Sequence, residues 1–281
     1  MKNFDGRVAA ITGAGSGIGR ALALKLADAG CHLSLSDVNE AGLAETVAML
    51  ASASVTVTSA TVDVASRVQV ESWARQTVAD HGKVHMIFNN AGVALGGTVL
   101  GTTIEEYEWI VNINFWGVVY GTKAFLPHLI EAGEGHVINV SSIFGLFAQP
   151  TQSGYNATKF AVRGFTESLR QELDLADNGV SATCVHPGGI KTNIAASARQ
   201  NESIVAMTGK SKEESTRDFE KLFRTTPAEA ADIILKAVSK NKRRVLVGTD
   251  AKVIDLFQRA LPTAYQPLVE AAFKSRAKKA E

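Results

Sequence analysis

Eight residues near the start of the chain, Thr12-Gly13-Ala14-Gly15-Ser16-Gly17-Ile18-Gly19, are of the types that can hold a phosphate. Glycines let the backbone turn sharply and come close to a pyrophosphate, and a helix starting there offers free N–H groups and the positive end of its dipole. The turn lies between an apolar run, Arg7 to Thr12, and a helical pattern, Gly19 to Ala29, which is where a dinucleotide site requires it. The strict G-x-G-x-x-G spacing is absent: from Gly13 the third glycine would be Ile18, and from Gly15 it would be Arg20. The pattern present is Gly13, Gly17 and Gly19 behind a threonine, which alone also suits a turn that binds something else, or nothing. Asp37 ends the next apolar run, 18 residues beyond Gly19. A carboxylate there can accept hydrogen bonds from the adenosine ribose hydroxyls. It would repel a 2′-phosphate, and neither Ser16 nor Val38 supplies a cation to bind one. The expected cofactor is NAD rather than NADP. The alternative for Asp37 is a cap on the following helix. Asp63-Val64 ends a third run and could touch the adenine edge, with capping an equal alternative.

Further motifs follow in order: Asn89-Asn90-Ala91-Gly92, Ser142, Tyr155-x-x-x-Lys159 and Pro187-Gly188. With the glycine turn they resemble the short-chain dehydrogenase/reductase family in its TGxxxGxG / YxxxK form, over about residues 5 to 250. The resemblance implies an NAD(P)-dependent oxidoreductase acting on CH–OH groups. Tyr155 and Lys159 are four apart on an expected helix, so both side chains project from one face. A free tyrosine, with a pKa of about 10, is a poor base at neutral pH. A nearby ammonium and the positive nicotinamide favour its phenolate. The resemblance makes Tyr155 the general acid/base, taking the alcohol proton in oxidation and returning it in reduction. It gives Lys159 a hold on the nicotinamide ribose. It has Ser142 hydrogen-bond the substrate oxygen and steady a developing alkoxide, with Ser141 the adjacent candidate. Asn114 would station a water near the lysine; Asn112 competes, and the spacing to Gly117 favours Asn114. Asn90, Ala91 and Gly92 would line the cofactor site, Asn90 being partly structural. Pro187, Gly188, Ile190 and Thr192 would face the nicotinamide carboxamide.

Substrate choice falls to neighbouring segments. Ile143, Phe144, Leu146 and Phe147 follow Ser142; Val93, Ala94 and Leu95 follow the Asn-Asn-Ala-Gly run; Gly189 adds little polarity. A pocket of Ala94, Ile143, Phe144, Phe147 and Gly189 suits an apolar or aromatic secondary alcohol or its ketone, with no obvious arginine clamp for a carboxylate or phosphate. The histidines, His32, His81, His85, His128, His136 and His186, show no ligand spacing, so no metal is expected and satisfied or solvated roles are the better reading.

The elements that must position these residues alternate. Strand runs are expected at Arg7–Thr12, Cys31–Asp37, Val55–Val62, Val84–Asn89, His136–Ser141, Val180–His186 and Arg244–Gly248. Helices are expected at Gly19–Ala29, Glu40–Ala51, Ser66–His81, Tyr155–Ala176 and Pro227–Ser239, with two more within 103–132. This alternation predicts an α/β fold, a Rossmann-type doubly wound parallel sheet of about seven strands with helices on both faces. No linker divides the chain, and one domain spanning 1–281 is expected. In the 3-2-1-4-5-6 order Cys31 and Cys184 stand four strand spacings apart, about 19 Å, too far for a disulfide. Residues about 190–226 are polar and weakly periodic, and read as a mobile substrate lid. From Thr249 the tail carries an apolar stripe, Val253, Ile254, Leu256, Phe257 and Leu261. Packing on the core or on another subunit is the favoured role, and a peripheral membrane contact the secondary one. The basic end, Lys274 to Lys279, reads as frayed and solvated.

Composition agrees with an ordinary globular protein. Of 281 residues 46% are apolar and 20% charged, and the net charge of +1 makes no electrostatic case for nucleic acid or an anionic membrane. The charged N-terminus is no signal peptide and no apolar run spans a bilayer, so a cytoplasmic location is expected. The partners expected are a small-molecule substrate and further copies of the chain, since the resemblance implies a homotetramer or homodimer on the two long helices. Three rivals stand beside the main reading: an NADPH-preferring carbonyl reductase of the same family, a methyltransferase, and a non-catalytic NAD-binding sensor or scaffold. Asp37 speaks against the first, and the Ser142, Tyr155, Lys159 set against the others.

Overall fold

A computed structural model describes residues 3–209, 211, 214, 217 and 223–277. The strands are β1 (Val8–Thr12), β2 (His32–Asp37), β3 (Val57–Thr61), β4 (Met86–Asn89), β5 (Leu95–Gly96), β6 (Gly135–Val140), β7 (Val180–Pro187), β8 (Arg199–Gln200) and β9 (Arg244–Val247). The described helices are α1 (Gly17–Asp28), α2 (Glu40–Met49), α3 (Arg67–His81), α4 (Ile104–Val111), α5 (Gly117–Glu131), α6 (Ser153–Ala176), α7 (Ser203–Thr208), α8 (Pro227–Ser239), α9 (Thr249–Ala260) and α10 (Tyr265–Ala277). Seven strands form one sheet in the order β3-β2-β1-β4-β6-β7-β9, and every pairing is parallel.

The central strands are buried on both faces, which is why β1 and β4 read as near-continuous apolar runs rather than alternating ones. One face packs Leu22 and Leu26 of α1 and Ile234 and Val238 of α8 against Leu33 and Leu35. The other packs Trp73 of α3, Phe125 and Leu129 of α5, and Leu169 and Leu173 of α6 against Ala10, Ile87 and Val137. The chain winds outward from β1 to β3, then returns to place β4 on the other side of β1. The crevice at the carboxyl ends of β1 and β4 is therefore the switch point at which open α/β sheets bind ligands.

Cys31, just before β2, and Cys184, on β7, lie four strands apart in this order, and both are free and buried. β3 is shorter than its apolar run because it is the partly exposed edge strand. Three features differ more. First, α4 runs into α5 through a π-helical segment, Asn112–Trp116. Second, the 190–226 region is tied down at its described ends. β8 pairs with β5, and Lys191 and Arg224 donate backbone hydrogen bonds to Thr225 and Gly189. The middle of the expected lid, most of 210–222, lies outside the described residues. Third, the tail forms two helices where one stripe and a frayed end were expected; residues 278–281 lie outside the described residues. Val253 and Leu256 are 61% and 69% exposed, whereas Ile254 packs on the cluster of Phe144 and Tyr155, so only part of the stripe meets the core. The fully buried residues of α9 are Ala251 and Asp255. Asp255 faces inward because Arg244 of β9 meets it at 2.6 Å and Arg259 at 3.0 Å.

Candidate active site

The glycine turn is held by residues that its sequence pattern includes without explaining. The Thr12 hydroxyl accepts from the backbone N–H groups of Asn90 and Ala91, both at 3.0 Å, and donates to Phe88 C=O. The Asn90 amide donates to the carbonyls of Thr12 and Gly13. Turn and strand end thus interlock. Gly13 and Gly17 have φ of +66° and +53°, the left-handed region that favours glycine. A Cβ at Gly13 would lie 2.9 Å from Ala91 Cα, and one at Gly19 would run into the Gly13 carbonyl oxygen. The N-terminus of α1 has no side-chain cap and no acidic residue in its first turn, which leaves its N–H groups for an anion.

Asp37 turns its carboxylate into the turn: Oδ2 accepts from Gly15 N–H at 2.8 Å and Oδ1 from Asn39 N–H at 2.8 Å. The cap of α2 is Asn39, not Asp37. Arg20, which sequence reasoning passed over, is the nearby cation, and its Nε and Nη2 groups are engaged within the protein. It donates to Thr46, to the carbonyls of Gly15 and Gly42, and to Glu45. The Asp63 carboxylate closes a local turn onto Ala65 N–H.

At the other end, the start of α6 brings Tyr155 and Lys159 onto one face. The Ser142 hydroxyl accepts from Phe144 N–H at 3.1 Å and stands close enough to the Tyr155 phenol to favour its ionised form. The neighbouring Ser141 hydroxyl points away and donates to Lys159 C=O at 2.7 Å. Lys159 Nζ donates to Val140 C=O at 3.0 Å and stands 5.6 Å from the centre of the Tyr155 ring. Burial pushes Tyr155 up to about 12, against a lowering interaction with Ser142, and burial brings Lys159 down to about 8.

The π-helical segment places Asn114 fully buried behind this pair. Its Oδ1 accepts from Val93 N–H, and its Nδ2 donates to Val93 C=O and the Thr158 hydroxyl. A Cβ at Gly92 would lie 3.2 Å from Asn114 Oδ1 and 3.4 Å from Lys159 Nζ, so the two residues flank Gly92. Asn112 is exposed. One added residue in a helical turn re-aims a side chain, and such segments concentrate at functional sites. His186, read from sequence as an ordinary satisfied histidine, stands directly behind the serine. Its Nδ1–H donates to Ser142 C=O at 2.9 Å, which leaves Nε2 without a partner; burial lowers its pKa to about 4.

One cavity of about 1010 Å³ joins these groups. It is lined by Gly13, Ser16, Gly17, Ile18, Asp37, Val38, Asp63, Val64, Asn90, Ala91, Gly92, Ser142, Tyr155, Lys159, Pro187, Gly188, Ile190 and Thr192, and by Ala94, Ile143, Phe144, Phe147 and Gly189. Gly15, Gly19 and Asn114 stand behind that surface. Thr192 folds across to the glycine turn: a Cβ at Gly17 would lie 3.0 Å from its methyl group. Sequence reasoning missed Val253, Ile254, Phe273 and the exposed Arg224 among the lining residues. Among the described residues no group of three His, Cys, Asp or Glu could hold a metal, and no helix is long and apolar enough to cross a membrane.

A cavity that pairs a glycine-rich turn with a Tyr–Lys–Ser cluster narrows the comparison with known proteins. The short chain dehydrogenase family profile matches residues 7–203. The chain belongs to this family. It is accordingly a dehydrogenase/reductase of the oxidoreductase class. It is 48% identical to "Putative oxidoreductase SadH" of Mycobacterium tuberculosis over 272 residues, 96% of each chain. It is 32% identical to the dehydrogenase/reductase SDR family member 7B of Xenopus laevis, covering 96% of this chain and 83% of that one. A short-chain dehydrogenase/reductase from Burkholderia phymatum, solved in complex with NAD, superposes with a TM-score of 0.86 at 30% identity, covering 95% of this chain and 97% of that one. Levodione reductase superposes at 0.77, also 30% identical, covering 90% of this chain and 99% of that one.

Proposed function

We propose that this dehydrogenase/reductase interconverts a secondary alcohol and its ketone with NAD, Tyr155 serving as general acid/base. The observation that carries the reading is the convergence of Tyr155, Lys159 and Ser142 on one end of a cavity whose other end is Asp37 and the glycine turn. The residues fit a dinucleotide. The turn has no room for side chains, the α1 N-terminus is uncapped, and the Asp37 carboxylate faces the turn. Asp37 favours free ribose hydroxyls over a 2′-phosphate, and the adjacent Arg20 is committed to four partners within the protein. The relative solved with NAD supports the same choice.

The nicotinamide, when bound, supplies the hydride acceptor or donor. The chain's own residues handle the proton. Tyr155 Oη takes it from the alcohol in oxidation and returns it to the forming alkoxide in reduction. With its pKa at about 12, the resting side chain is a phenol, ready to donate. Ser142 Oγ holds the substrate oxygen beside that phenol, and His186 holds Ser142 from behind. Lys159 Nζ favours the phenolate when Tyr155 must accept, and Asn114 stations a water beside the lysine. Pro187, Gly188, Ile190 and Thr192 close the middle of the cavity. The apolar lining, Ala94, Ile143, Phe144 and Phe147, suits an apolar or aromatic substrate. The reading extends to a cytoplasmic homo-oligomer joined through α5 and α6, where Ile130 and Phe160 are exposed.

The test is NADH formation from NAD and a panel of apolar secondary alcohols. Tyr155→Phe is expected to lower kcat by about 10³-fold or more while leaving NAD affinity within about twofold. Undiminished turnover in Tyr155→Phe would remove the tyrosine from the mechanism.

A further inference from the structure

Gly188 and Gly189 belong to the loop assigned to the nicotinamide carboxamide, and both line the cavity with Tyr155 and Lys159. Neither has a side chain with which to hold a conformation, so the backbone must be held from outside. Both polar groups of Gly189 are gripped. Its carbonyl accepts from the backbone N–H groups of Arg224 and Thr225, at 3.1 and 3.3 Å. Its N–H donates to Asp250 Oδ2 at 2.6 Å. The first contact is backbone to backbone and is indifferent to residue type. The second depends on a single carboxylate 61 residues further along the chain.

That carboxylate fits its place closely. Asp250 stands in the first turn of α9, where the positive end of the helix dipole favours a negative charge. A Cβ at Gly188 or at Gly248 would run into it, so the positions on either side are glycine. Gly188 N–H donates to Val247 C=O at 2.9 Å, which registers the loop against the end of β9. Beyond Gly189, Lys191 N–H donates to Thr225 C=O at 2.9 Å and Thr192 N–H to Ile190 C=O at 2.8 Å. The loop is therefore a short rigid path from Asp250 to Ile190 and Thr192. Asp250 lies outside residues 7–203, which the family profile matches.

We propose that Asp250 is the positioning residue for the nicotinamide half of the cofactor, acting through the Gly188–Gly189 backbone. The assignment rests on the NAD reading above. Without the carboxylate, two adjacent glycines gain backbone freedom that must be lost again on binding. The adenosine half is held elsewhere, by the glycine turn and Asp37, so the two halves respond separately.

The experiment is a calorimetric titration of NADH and of ADP-ribose, which keeps every part of the cofactor except the nicotinamide. Asp250→Ala raises the Kd for NADH about tenfold and changes the Kd for ADP-ribose less than about twofold. Asp250→Asn keeps an oxygen that can accept from Gly189 and stays within about threefold of the wild type for NADH. Unchanged NADH affinity in Asp250→Ala overturns the assignment. So does equal weakening of both ligands, the signature of a generally loosened fold; either result leaves the NAD reading standing. A wild type that binds neither ligand overturns the NAD reading and this assignment with it. NADH binding that depends on Asp250 in this way, in a protein that oxidises no alcohol, supports the assignment and overturns only the hydride-transfer reading.

Discussion

The Asp37 end of the cavity is walled by backbone from adjoining segments, the β1–α1 turn and the ends of β2 and β4, whereas the Phe273 end is walled by side chains from segments more than a hundred residues apart. A pyrophosphate needs N–H groups and close approach, which glycines supply by lacking a Cβ. An apolar substrate needs area, which Ile143, Phe144, Phe147, Ile254 and Phe273 supply by having one. On the proposed reading the first wall is expected to tolerate almost no substitution, and changes to the second are expected to alter selectivity more than chemistry, because Tyr155, Lys159 and Ser142 line the same cavity.

The substitutions that break this contrast most sharply lie in the glycine turn. Gly19→Ala would drive a methyl group into the Gly13 carbonyl and against the Asn90 amide. It is expected to cost about 3 kcal/mol of stability and to abolish NAD binding, read by urea unfolding and calorimetry. A Gly19→Ala protein that binds NAD normally would show that the backbone wall is not tight.

A smaller effect is expected in the sheet that joins the two ends. Burial holds neutral His136 near a pKa of about 3 and His186 near about 4, against about 6.5 in an unfolded chain. The unfolded chain therefore binds more protons between pH 6.5 and 4. The stability these histidines contribute is fully present above pH 6.5 and is lost as pH falls through that window. The urea midpoint should drop steadily from pH 7 to 4.5, and His136→Gln should flatten the slope. A midpoint independent of pH would refute their burial as neutral groups.

The smallest effect is local. Thr151 lines the cavity just before α6 with φ of +65°, a conformation that Asn tolerates better than Thr. Thr151→Asn should raise stability by about 0.5 kcal/mol, measured as a small increase in Tm. A decrease would mean that the threonine side chain, not the backbone, fixes this turn.

The same contrast governs what the sequence reveals. The glycine turn, Asp37 and the Tyr155–Lys159 spacing are local patterns whose geometry follows from a strand end or a helical repeat. The strand order follows from alternating elements and right-handed crossovers. The π-helical segment at Asn112–Trp116 has no signature in side-chain type, since it shifts hydrogen bonds rather than composition. Arg20 looks like an ordinary helix residue until Gly15, Gly42 and Glu45 are brought around it. The Phe273 end of the cavity is a tertiary property: Phe273 lies in a basic, weakly patterned stretch, on the helix whose Tyr265 is buried against Phe147. Two aromatic residues eight apart on one helical face were the available signal.

The most direct test of the account is a calorimetric titration of NAD and NADP into the wild type and Asp37→Ala. The account predicts that the wild type binds NAD at least about tenfold more tightly than NADP, a difference of about 1.4 kcal/mol, and that Asp37→Ala narrows or erases the gap. Tighter NADP binding in the wild type, or a preference that Asp37→Ala leaves untouched, would contradict it.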